Sequence, residues 1–247
     1  MDALNSLSFL KHAFTEMEKW ANKLTVNKEN PRHLFATALY VKIFELTGGC
    51  IILIDREVTT GVPILVRGIL EAYVDLINLC KDLTYIKSMQ VSYFEEWLRI
   101  LKKAKNNENS NLCGTFQVKD LSAHIDIFQE ELKRLKKEGF KVLSAKERFN
   151  NAGMAREYSA NYNILCCHSH NNLRSLIGVT TSADGISNLV ISDKATSLQD
   201  RPYYVNLIYK YSIGASLQIH ILLNSSAQPE IARLAGELEV VRQDSEI

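Results

Sequence analysis

The chain contains little proline and cysteine, almost no net charge and no glycine-rich phosphate loop. Its five cysteines are scattered through 247 residues without Cys-x-x-Cys spacing, which argues against a disulfide framework and a structural zinc site. A formal net charge of +1 gives no general attraction to nucleic acid or acidic lipid, so such binding must come from a local patch. The absence of a phosphate loop and of a G-x-S-x-G motif weakens nucleotide hydrolysis and serine hydrolase chemistry.

Long hydrophobic runs are also missing. The most apolar span, residues 50–80, is interrupted by charged side chains, whereas a membrane-spanning helix needs about 20 consecutive apolar residues. The N-terminal segment carries an acid, Asp2, ahead of an apolar run that contains Lys11 and His12, unlike a signal peptide. We therefore expect a cytoplasmic protein that is not integral to a membrane.

The four prolines indicate where helices begin. Pro31, Pro63, Pro202 and Pro229 each stand at the front edge of a segment with helical hydrophobic periodicity. Proline fits the first turn of a helix, where its missing N–H costs nothing. Gly48-Gly49 would either break the second helix or let a neighbour approach closely. The pattern predicts helices over about residues 3–24, 31–59, 63–83, 88–105, 119–138, a short one from 144 that leads into segment 161–176, then 202–224 and 229–244.

Residues 177–192 are predicted to form a β-hairpin, because Asp184-Gly185 stands between two β-branched runs. The composition is that of a globular protein, with 46% hydrophobic and 23% charged residues, and its length suits one domain. We therefore predict a mainly α fold, a helical bundle of seven or eight helices with a small β-hairpin insert. A single domain of residues 1–247 is expected, with its core at about 31–225.

A narrow line of polar side chains runs along the predicted third helix, which is otherwise apolar nearly all round. Arg67, Glu71, Asp75 and Asn78 are spaced by four, four and three residues and so share one helix face. This face could be the solvent edge of a central helix, with Arg67 and Glu71 forming an ordinary surface ion pair. It could instead face inward, where the charges would need each other or a polar partner on another helix.

Segment 161–176 supplies a candidate partner for that face. Tyr162, Cys166, His170 and Arg174 recur every four residues and would share one face of a helix. Two helices with matching polar lines can pack those lines together and leave a small pocket between them. We therefore predict a polar pocket lined by Arg67, Glu71, Tyr162, His170 and Arg174.

These motifs resemble those of a bacterial family of unknown function. Its members carry an R-x-x-x-E helix and a Y-x-x-L-S-x-x-x-H helix. The matching residues here are Arg67 and Glu71 in the first motif, and Tyr162, Cys166 and His170 in the second. Cys166 stands at the position of the motif serine. The resemblance covers roughly residues 35–225.

In helical architecture the chain is also similar to the HEPN superfamily, many of whose members are RNA-cutting toxins or antiphage effectors. This similarity implies an RNA-directed protein of defence or stress responses. The HEPN signature is an arginine followed shortly afterwards by a histidine, whereas the close pair here, His170 and Arg174, comes in the reverse order. A histidine and an arginine brought together by the fold can still move a proton and stabilise the charge of a phosphorane.

Metal and thiol chemistry are less favoured explanations of the same segment. His168 and His170 are two residues apart and would point to different faces of a helix, so no metal site and no cofactor are predicted. Cys166 and Cys167 are interpreted as core residues, because buried cysteine is common and nothing nearby in the sequence clearly activates them.

A basic patch lies in residues 133–148, where seven Lys or Arg residues accompany two acids. It could bind phosphate groups, above all those of RNA. It could equally be a solvated helix end whose cations favour the C-terminal dipole. The candidate binding residues are Lys133, Arg134, Lys136, Lys137 and Lys141. The expected partners are RNA, a further protein and a second copy of this chain.

Two functions are compatible with these features. The first is an RNA-directed, HEPN-like defence or stress protein that acts as a metal-independent endoribonuclease. In it His170 would be the general acid or base, Arg67 or Arg174 would carry phosphate charge, and Glu71 would orient them beside Tyr162. The second is a noncatalytic binding or regulatory module, in which the same pocket is a structural polar network or senses a small ligand.

Overall fold

The computed structural model describes residues 3–58, 60–106, 118–170 and 201–243. Over these ranges the backbone forms helices and turns, and no strand is present. The helices, in chain order, are α1 (Ala3–Ala21), α2 (Pro31–Asp55), α3 (Val62–Lys81), α4 (Tyr85–Lys105), α5 (Val118–Lys137), α6 (Ala145–Ala152), α7 (Ala155–Glu157), a π-helical turn (Tyr158–Tyr162), α8 (Asn163–Ser169), α9 (Arg201–Leu222) and α10 (Gln228–Gln243).

Local signals in the sequence start these helices as predicted. All four prolines occupy the first two positions of a helix, where the first N–H groups have no partner within the helix. The Asn30 side chain caps α2 by accepting a hydrogen bond of 3.0 Å from the backbone N–H of Arg32. Ser144 and Glu147 form the reciprocal capping box of α6. The Glu147 carboxylate accepts the Ser144 N–H at 2.8 Å, and the Ser144 hydroxyl accepts the Glu147 N–H at 3.2 Å.

Glycines act at two places in different ways. Gly48 and Gly49 leave α2 unbroken and permit close packing, since a Cβ atom at Gly48 would lie 3.1 Å from the Phe14 ring. Gly139 follows the end of α5 with a φ of 91°, a left-handed conformation that favours glycine. This position confirms the predicted C-terminal stop of that helix.

The chain packs into two compact units, the first formed by Met1–Lys81 together with Phe149–Ile247. Helix α3 is the central helix of this first unit and packs against α2, α8 and α9. Most of its apolar side chains are buried, although Ile64 is exposed. Burial of each large aliphatic side chain contributes about 1.5–3 kcal/mol and is a main source of stability. The most buried members are Val66, Ile69, Leu70, Val74, Leu76 and Leu79.

A line of buried polar groups joins α2 to α9 inside the first unit. The Thr47 hydroxyl lies 2.7 Å from the Ser212 hydroxyl, and the Tyr40 hydroxyl lies 3.1 Å from that of Ser216. His220 continues this line on α9, with its ring edge-on to Tyr40 at 6.4 Å between centroids. Its side chain is completely buried, and neither ring nitrogen has a hydrogen-bond partner among the described residues.

The second unit comprises Asp82–Arg148. Helices α4 and α5 run antiparallel in this unit. Two ion pairs show this: Lys87 near the start of α4 pairs with Glu138 just after α5 at 2.7 Å, and Glu95 further along α4 pairs with Lys136 at 2.6 Å. The pair has its own small core, made by Leu98, Leu101, Ala104, Leu121 and Ile125 with Trp97, Phe128 and Leu132 packed against it. The predicted single domain of residues 1–247, with a core at 31–225, stays a prediction.

The predicted fold class is wrong in one part. The described residues are all-α and contain no sheet. The prediction of a small β-hairpin insert is therefore wrong, and the fold is mainly α without it. Its predicted range, residues 177–192, lies outside the described residues. The inference was weak because a turn motif and β-branched runs express only short-range preferences. An isolated two-stranded hairpin is marginal in water, and no described strand is available to pair with one.

Among the described helices, α2 is long and apolar enough to cross a membrane by length and composition. Only 28% of its most apolar stretch is buried within the protein. Core helices of soluble proteins and N-terminal signal sequences can have the same length and composition, so α2 by itself does not define a membrane protein. The expectation of no membrane contact rested on residues 50–80 and stays a prediction.

Candidate functional site

The polar line of α3 faces another helix of the first unit. Arg67 and Glu71 form an ion pair with 3.2 Å between Nε and Oε1, and their side chains retain 21% and 30% of their exposure. Full solvent exposure is therefore ruled out for this pair. Asn78, at the end of the line, is buried. The Arg67 end of the line is directed toward the segment that contains α8, as the contacts below show.

That segment includes a π-helical turn, which is an uncommon element. Within it Tyr158 and Tyr162 stack with 5.4 Å between ring centroids, and Phe149 packs against both rings at 5.5 Å and 5.0 Å. The Arg67 guanidinium lies 5.5 Å from the centroid of the Tyr162 ring, in a cation–π contact. The turn therefore brings an aromatic ring onto the charged residue of α3. Single π-helical turns inside helices are frequent at functional sites.

Arg67 also contacts His170, which directly follows α8. The distance between Arg67 Nη1 and His170 Nε2 is 3.3 Å. A guanidinium can only donate hydrogen bonds, so a hydrogen bond at this contact needs the tautomer in which Nε2 is the acceptor. His170 is exposed to solvent. The two residues are 103 positions apart in the chain and are brought together only by helix packing.

Tyr162 and Cys166 complete the cluster from the same helical segment. Cys166 is half-buried and lies one helical turn after Tyr162, whose ring contacts Arg67. Burial is the main reason that the pKa of Tyr162 is raised to about 12, and Glu71 and Cys166 add to the shift. The phenol of Tyr162 is therefore neutral at physiological pH.

The guanidinium of Arg67 stays positively charged in the cluster. Burial by itself would lower the pKa of Arg67, but Glu71, Tyr162 and Cys166 together raise it above its ordinary value. A fixed positive charge next to an imidazole and a neutral phenol is an arrangement that can bind an anion and exchange a proton. We call the five residues Arg67, Glu71, Tyr162, Cys166 and His170 the Arg67 cluster.

A second polar group lies on another face of the same segment. The Asn161 amide donates to the Tyr211 hydroxyl at 2.7 Å and accepts from the Tyr203 hydroxyl at 3.1 Å. These bonds tie the π-helical turn to α9 and so help to fix the position of Tyr162. The sequence reasoning missed Asn161, because a lone asparagine carries no spacing signal.

The two histidines at the end of the segment separate as predicted. His168 Nε2 lies 3.5 Å from the Tyr204 hydroxyl, whereas His170 contacts Arg67. Within the described part of the chain, no group of three or more His, Cys, Asp or Glu residues is placed to hold a metal ion.

The predicted basic patch lies in the second unit, and much of its charge is neutralised. Arg134 pairs with Glu131 and Glu138 at 2.7 Å and 2.6 Å. Lys136 pairs with Glu95, and Lys141 with Glu147 at 2.7 Å. Lys133 and Lys137 are exposed and form no ion pair with a described residue. The local positive charge is therefore smaller than the sequence suggests.

The structure thus brings together four of the five predicted pocket residues, Arg67, Glu71, Tyr162 and His170, and their roles stay predictions. Arg174 lies outside the described residues. Cys166 was interpreted as a core residue, but it is half-buried and belongs to the cluster. The signal for it was present, because it shares the four-residue spacing of Tyr162 and His170.

Helical packing and a surface cluster of this kind define an all-α protein with a candidate polar site. The chain matches the profile of a family of unknown function, DUF5677, over residues 33–187. This range holds the whole Arg67 cluster and most of the chain, and the protein belongs to this family. No curated protein and no solved structure matches the chain.

Proposed function

We propose that the protein is an RNA-directed, HEPN-like defence or stress protein whose Arg67 cluster cleaves RNA without a metal ion. The observation that supports this proposal is the 3.3 Å contact between the Arg67 guanidinium and Nε2 of His170. It joins a phosphate-binding cation to a proton acceptor at a position that solvent can reach. Metal-independent RNA cleavage requires these two groups and a substrate 2′-hydroxyl.

Substrate binding would rearrange the Arg67–His170 contact. A phosphodiester that pairs with Arg67 takes over the hydrogen bonds of the guanidinium, which frees Nε2 of His170. His170 then accepts the proton of the 2′-hydroxyl as the 2′-oxygen attacks phosphorus. The bond from phosphorus to the 5′-oxygen breaks, and that oxygen takes a proton from solvent. Arg67 neutralises the charge of the phosphorane, and the products are a 2′,3′-cyclic phosphate and a 5′-hydroxyl.

Glu71 and Tyr162 would hold Arg67 in place for this reaction. Glu71 bonds to Nε of Arg67, which leaves the Nη groups directed toward His170. The Tyr162 ring lies against the guanidinium plane and restricts its movement. Positioning of this kind can supply much of the reduction in activation free energy in phosphoryl transfer, because the protein forms no covalent bond to the substrate.

Docking of RNA would rest on a smaller set of cations than the sequence predicted. Among the five candidate binding residues, Lys133 and Lys137 have no described carboxylate partner, so we assign RNA contact to them first. Arg134, Lys136 and Lys141 would have to exchange a glutamate for a phosphate. Because such contacts release counterions, binding should weaken steeply as salt is raised.

A noncatalytic binding or regulatory module is the second candidate function, and one observation favours it. Arg67 already has a carboxylate, a phenol and an imidazole as partners, so the cluster is a satisfied polar network before any substrate binds. Satisfied networks of this kind also serve to hold helices in register.

The described thiols bear on the cellular setting. Every described cysteine, namely Cys50, Cys80, Cys166 and Cys167, is free, which supports our proposal of a cytoplasmic location. A protein partner and a second copy of the chain remain part of the proposal, as is common for helical defence and stress proteins.

The decisive experiment is RNA cleavage in the presence of EDTA. Wild type, His170→Ala and Arg67→Ala would be incubated with a fluorescent single-stranded RNA and with the same strand carrying 2′-deoxy sugars. We expect only wild type to cut, only the RNA, and with cyclic phosphate ends. Loss of one general base or of one charge-stabilising group commonly costs about 10²–10⁴-fold in rate. His12→Ala, at an exposed histidine of α1, is the matched control and should cut like wild type.

Two outcomes would reject the Arg67 cluster as a site of RNA cleavage. If wild type is as inert as the variants, or if His170→Ala cuts at the wild-type rate, the cluster is not a cleavage site. Large losses of melting temperature in Arg67→Ala and His170→Ala, without any cleavage by wild type, would support the noncatalytic module.

A further inference from the structure

Helix α2 exposes an apolar face, although its opposite face lies in the core of the first unit. Ala36, Ile43 and Cys50 on the inner side are completely buried. Four large apolar side chains on the outer side keep at least 44% of their exposure: Leu34, Phe35, Val41 and Ile52. An exposed apolar surface of this kind on a folded protein commonly marks a site of interaction.

The outer face of α2 follows the spacing by which helices pair. Positions that alternate by three and four residues stay on one side of a helix and form the contact line of two packed helices. Six positions of α2 have this spacing: Phe35, Ala38, Lys42, Glu45, Gly49 and Ile52. Gly49 is half-buried and the other five are exposed. We call these six residues the α2 stripe.

The α2 stripe is complementary to itself when a second α2 runs antiparallel to it. In two helices related by a two-fold axis, residues at equal distances from the axis face each other. With the axis halfway between Phe35 and Ile52, Phe35 faces Ile52 of the partner subunit. Lys42 then faces Glu45 of the partner subunit, and the same contact occurs a second time by symmetry. One arrangement therefore pairs the apolar ends of the stripe and both of its charges.

The two charges indicate which kind of partner fits the stripe. Neither Lys42 nor Glu45 forms an ion pair with a described residue. A second copy of the chain supplies an opposite charge to each of them, whereas an acidic lipid surface would repel Glu45. Helices that lie on lipid surfaces are rich in cations, but the stripe carries one cation and one anion. A second copy is therefore favoured over a lipid surface.

We propose that the α2 stripe is a dimer interface, at which two copies of this chain pack their α2 helices antiparallel about a two-fold axis. A contact between two identical surfaces closes on itself, so the assembly stops at two copies. The proposed function includes a second copy but assigns no surface to it. The interface does not depend on RNA cleavage, because the mass of the assembly is measured without RNA.

The first experiment measures the mass of the full chain in solution by sedimentation velocity. We expect wild type at twice the chain mass of 28.0 kDa. Ile52→Asp should weaken dimerisation at least about tenfold, because it places an unpaired acid at each apolar end of the interface. Ile127→Asp, at an exposed isoleucine of α5, is the matched control and should dimerise like wild type. A wild type that stays monomeric at its highest soluble concentration would overturn the proposal, as would equal dimerisation of the two variants.

The second experiment exchanges the charges and tests the antiparallel register. Lys42→Glu and Glu45→Lys each create two like-charge contacts in a dimer, so each variant alone should dimerise at least about tenfold more weakly than wild type. An equal mixture of the two variants should form heterodimers with nearly wild-type affinity, because every acid of one chain then faces a lysine of the other. Since mixing changes neither chain, recovery of the dimer cannot come from repair of a folding defect. Failure to recover the dimer on mixing would overturn the proposal.

A third measurement tests lipid as the occupant of the stripe. Wild type would be centrifuged with vesicles of equal parts phosphatidylcholine and phosphatidylserine, and we expect it to stay in the supernatant as a dimer. A monomer that sediments with the vesicles, and that Ile52→Asp releases, would overturn the dimer interface in favour of a lipid surface. A dimer of a protein that never cuts RNA would support the interface and reject the nuclease.

Discussion

Two histidines of the first unit lie in opposite surroundings. His170 is exposed after α8 and has the Arg67 guanidinium 3.3 Å from its Nε2, whereas His220 is buried in α9 and has no described partner for either nitrogen. A polar group that is satisfied and accessible is available for chemistry, while one that is buried and unsatisfied costs stability. Substitutions should therefore change activity at the Arg67 cluster and the free energy of unfolding at the interface of α2 and α9.

The largest expected effect on stability is the pH dependence caused by His220. Burial, and secondarily Lys23, lowers its pKa from 6.5 to about 4. Between pH 6.5 and about 4, His220 is protonated in the unfolded chain but stays neutral in the folded protein. The free energy of unfolding therefore falls as the pH falls toward 4. The full loss is about 3 kcal/mol. His220→Leu should remove this loss and should match or exceed wild-type stability at neutral pH.

The measurement is urea unfolding at several pH values between 7 and 4, with His12→Leu as the matched control at an exposed histidine. The control should keep the wild-type pH dependence. If His220→Leu loses stability with acid as steeply as wild type, the interior histidine is not the cause.

A smaller loss is expected from close packing in the same interior. A Cβ atom at Gly214 would lie 2.5 Å from the Tyr73 hydroxyl and 2.8 Å from Cζ, so Gly214→Ala forces α3 and α9 apart. We expect a loss of about 2 kcal/mol after the gain in helix propensity is subtracted. Gly236→Ala, whose Cβ would meet nothing within 4 Å, should stabilise by up to about 1 kcal/mol. Thermal unfolding of both variants checks the contrast, and equal melting temperatures would contradict it.

The smallest effect is expected at the Arg67 cluster. Glu71→Gln removes a carboxylate that is 30% exposed, and exposed or half-exposed ion pairs contribute less than about 1 kcal/mol. Asp55→Asn, in the exposed pair with Lys11, is the matched control and should behave alike. RNA cleavage by Glu71→Gln should fall even so, because Arg67 loses its orienting partner. A loss of several kcal/mol in urea unfolding would instead favour a structural network.

Much of the helical framework could be predicted because its signals are local. Proline at the first turn, the Asn30 cap, the Ser144–Glu147 capping box and Gly139 each act over four residues or fewer. The hairpin prediction used a local signal too, but a strand needs distant partners that such a signal does not specify. The division into two units was not visible in the sequence, because no linker composition separates Lys81 from Asp82 or Arg148 from Phe149.

The candidate site was predictable as two half-sites. Arg67 and Glu71 are four residues apart, and Tyr162 and His170 are eight apart with Cys166 midway. Side chains at such spacings lie on one helix face. The neutralisation of the basic patch was not predictable in the same way. Glu95 is 41 positions away from Lys136, and only the antiparallel packing of α4 and α5 brings them to 2.6 Å.

The sequence alone determined which segments become helices and which of their faces are polar, because backbone sterics and capping bonds act between near neighbours. The tertiary structure decided which faces meet. It paired Arg67 with His170 and left the ring of His220 without a hydrogen-bond partner among the described residues. Those outcomes depend on the total free energy gained when many apolar side chains are buried together. This total favours one packing of the helices over other packings that would satisfy the local helix signals equally well.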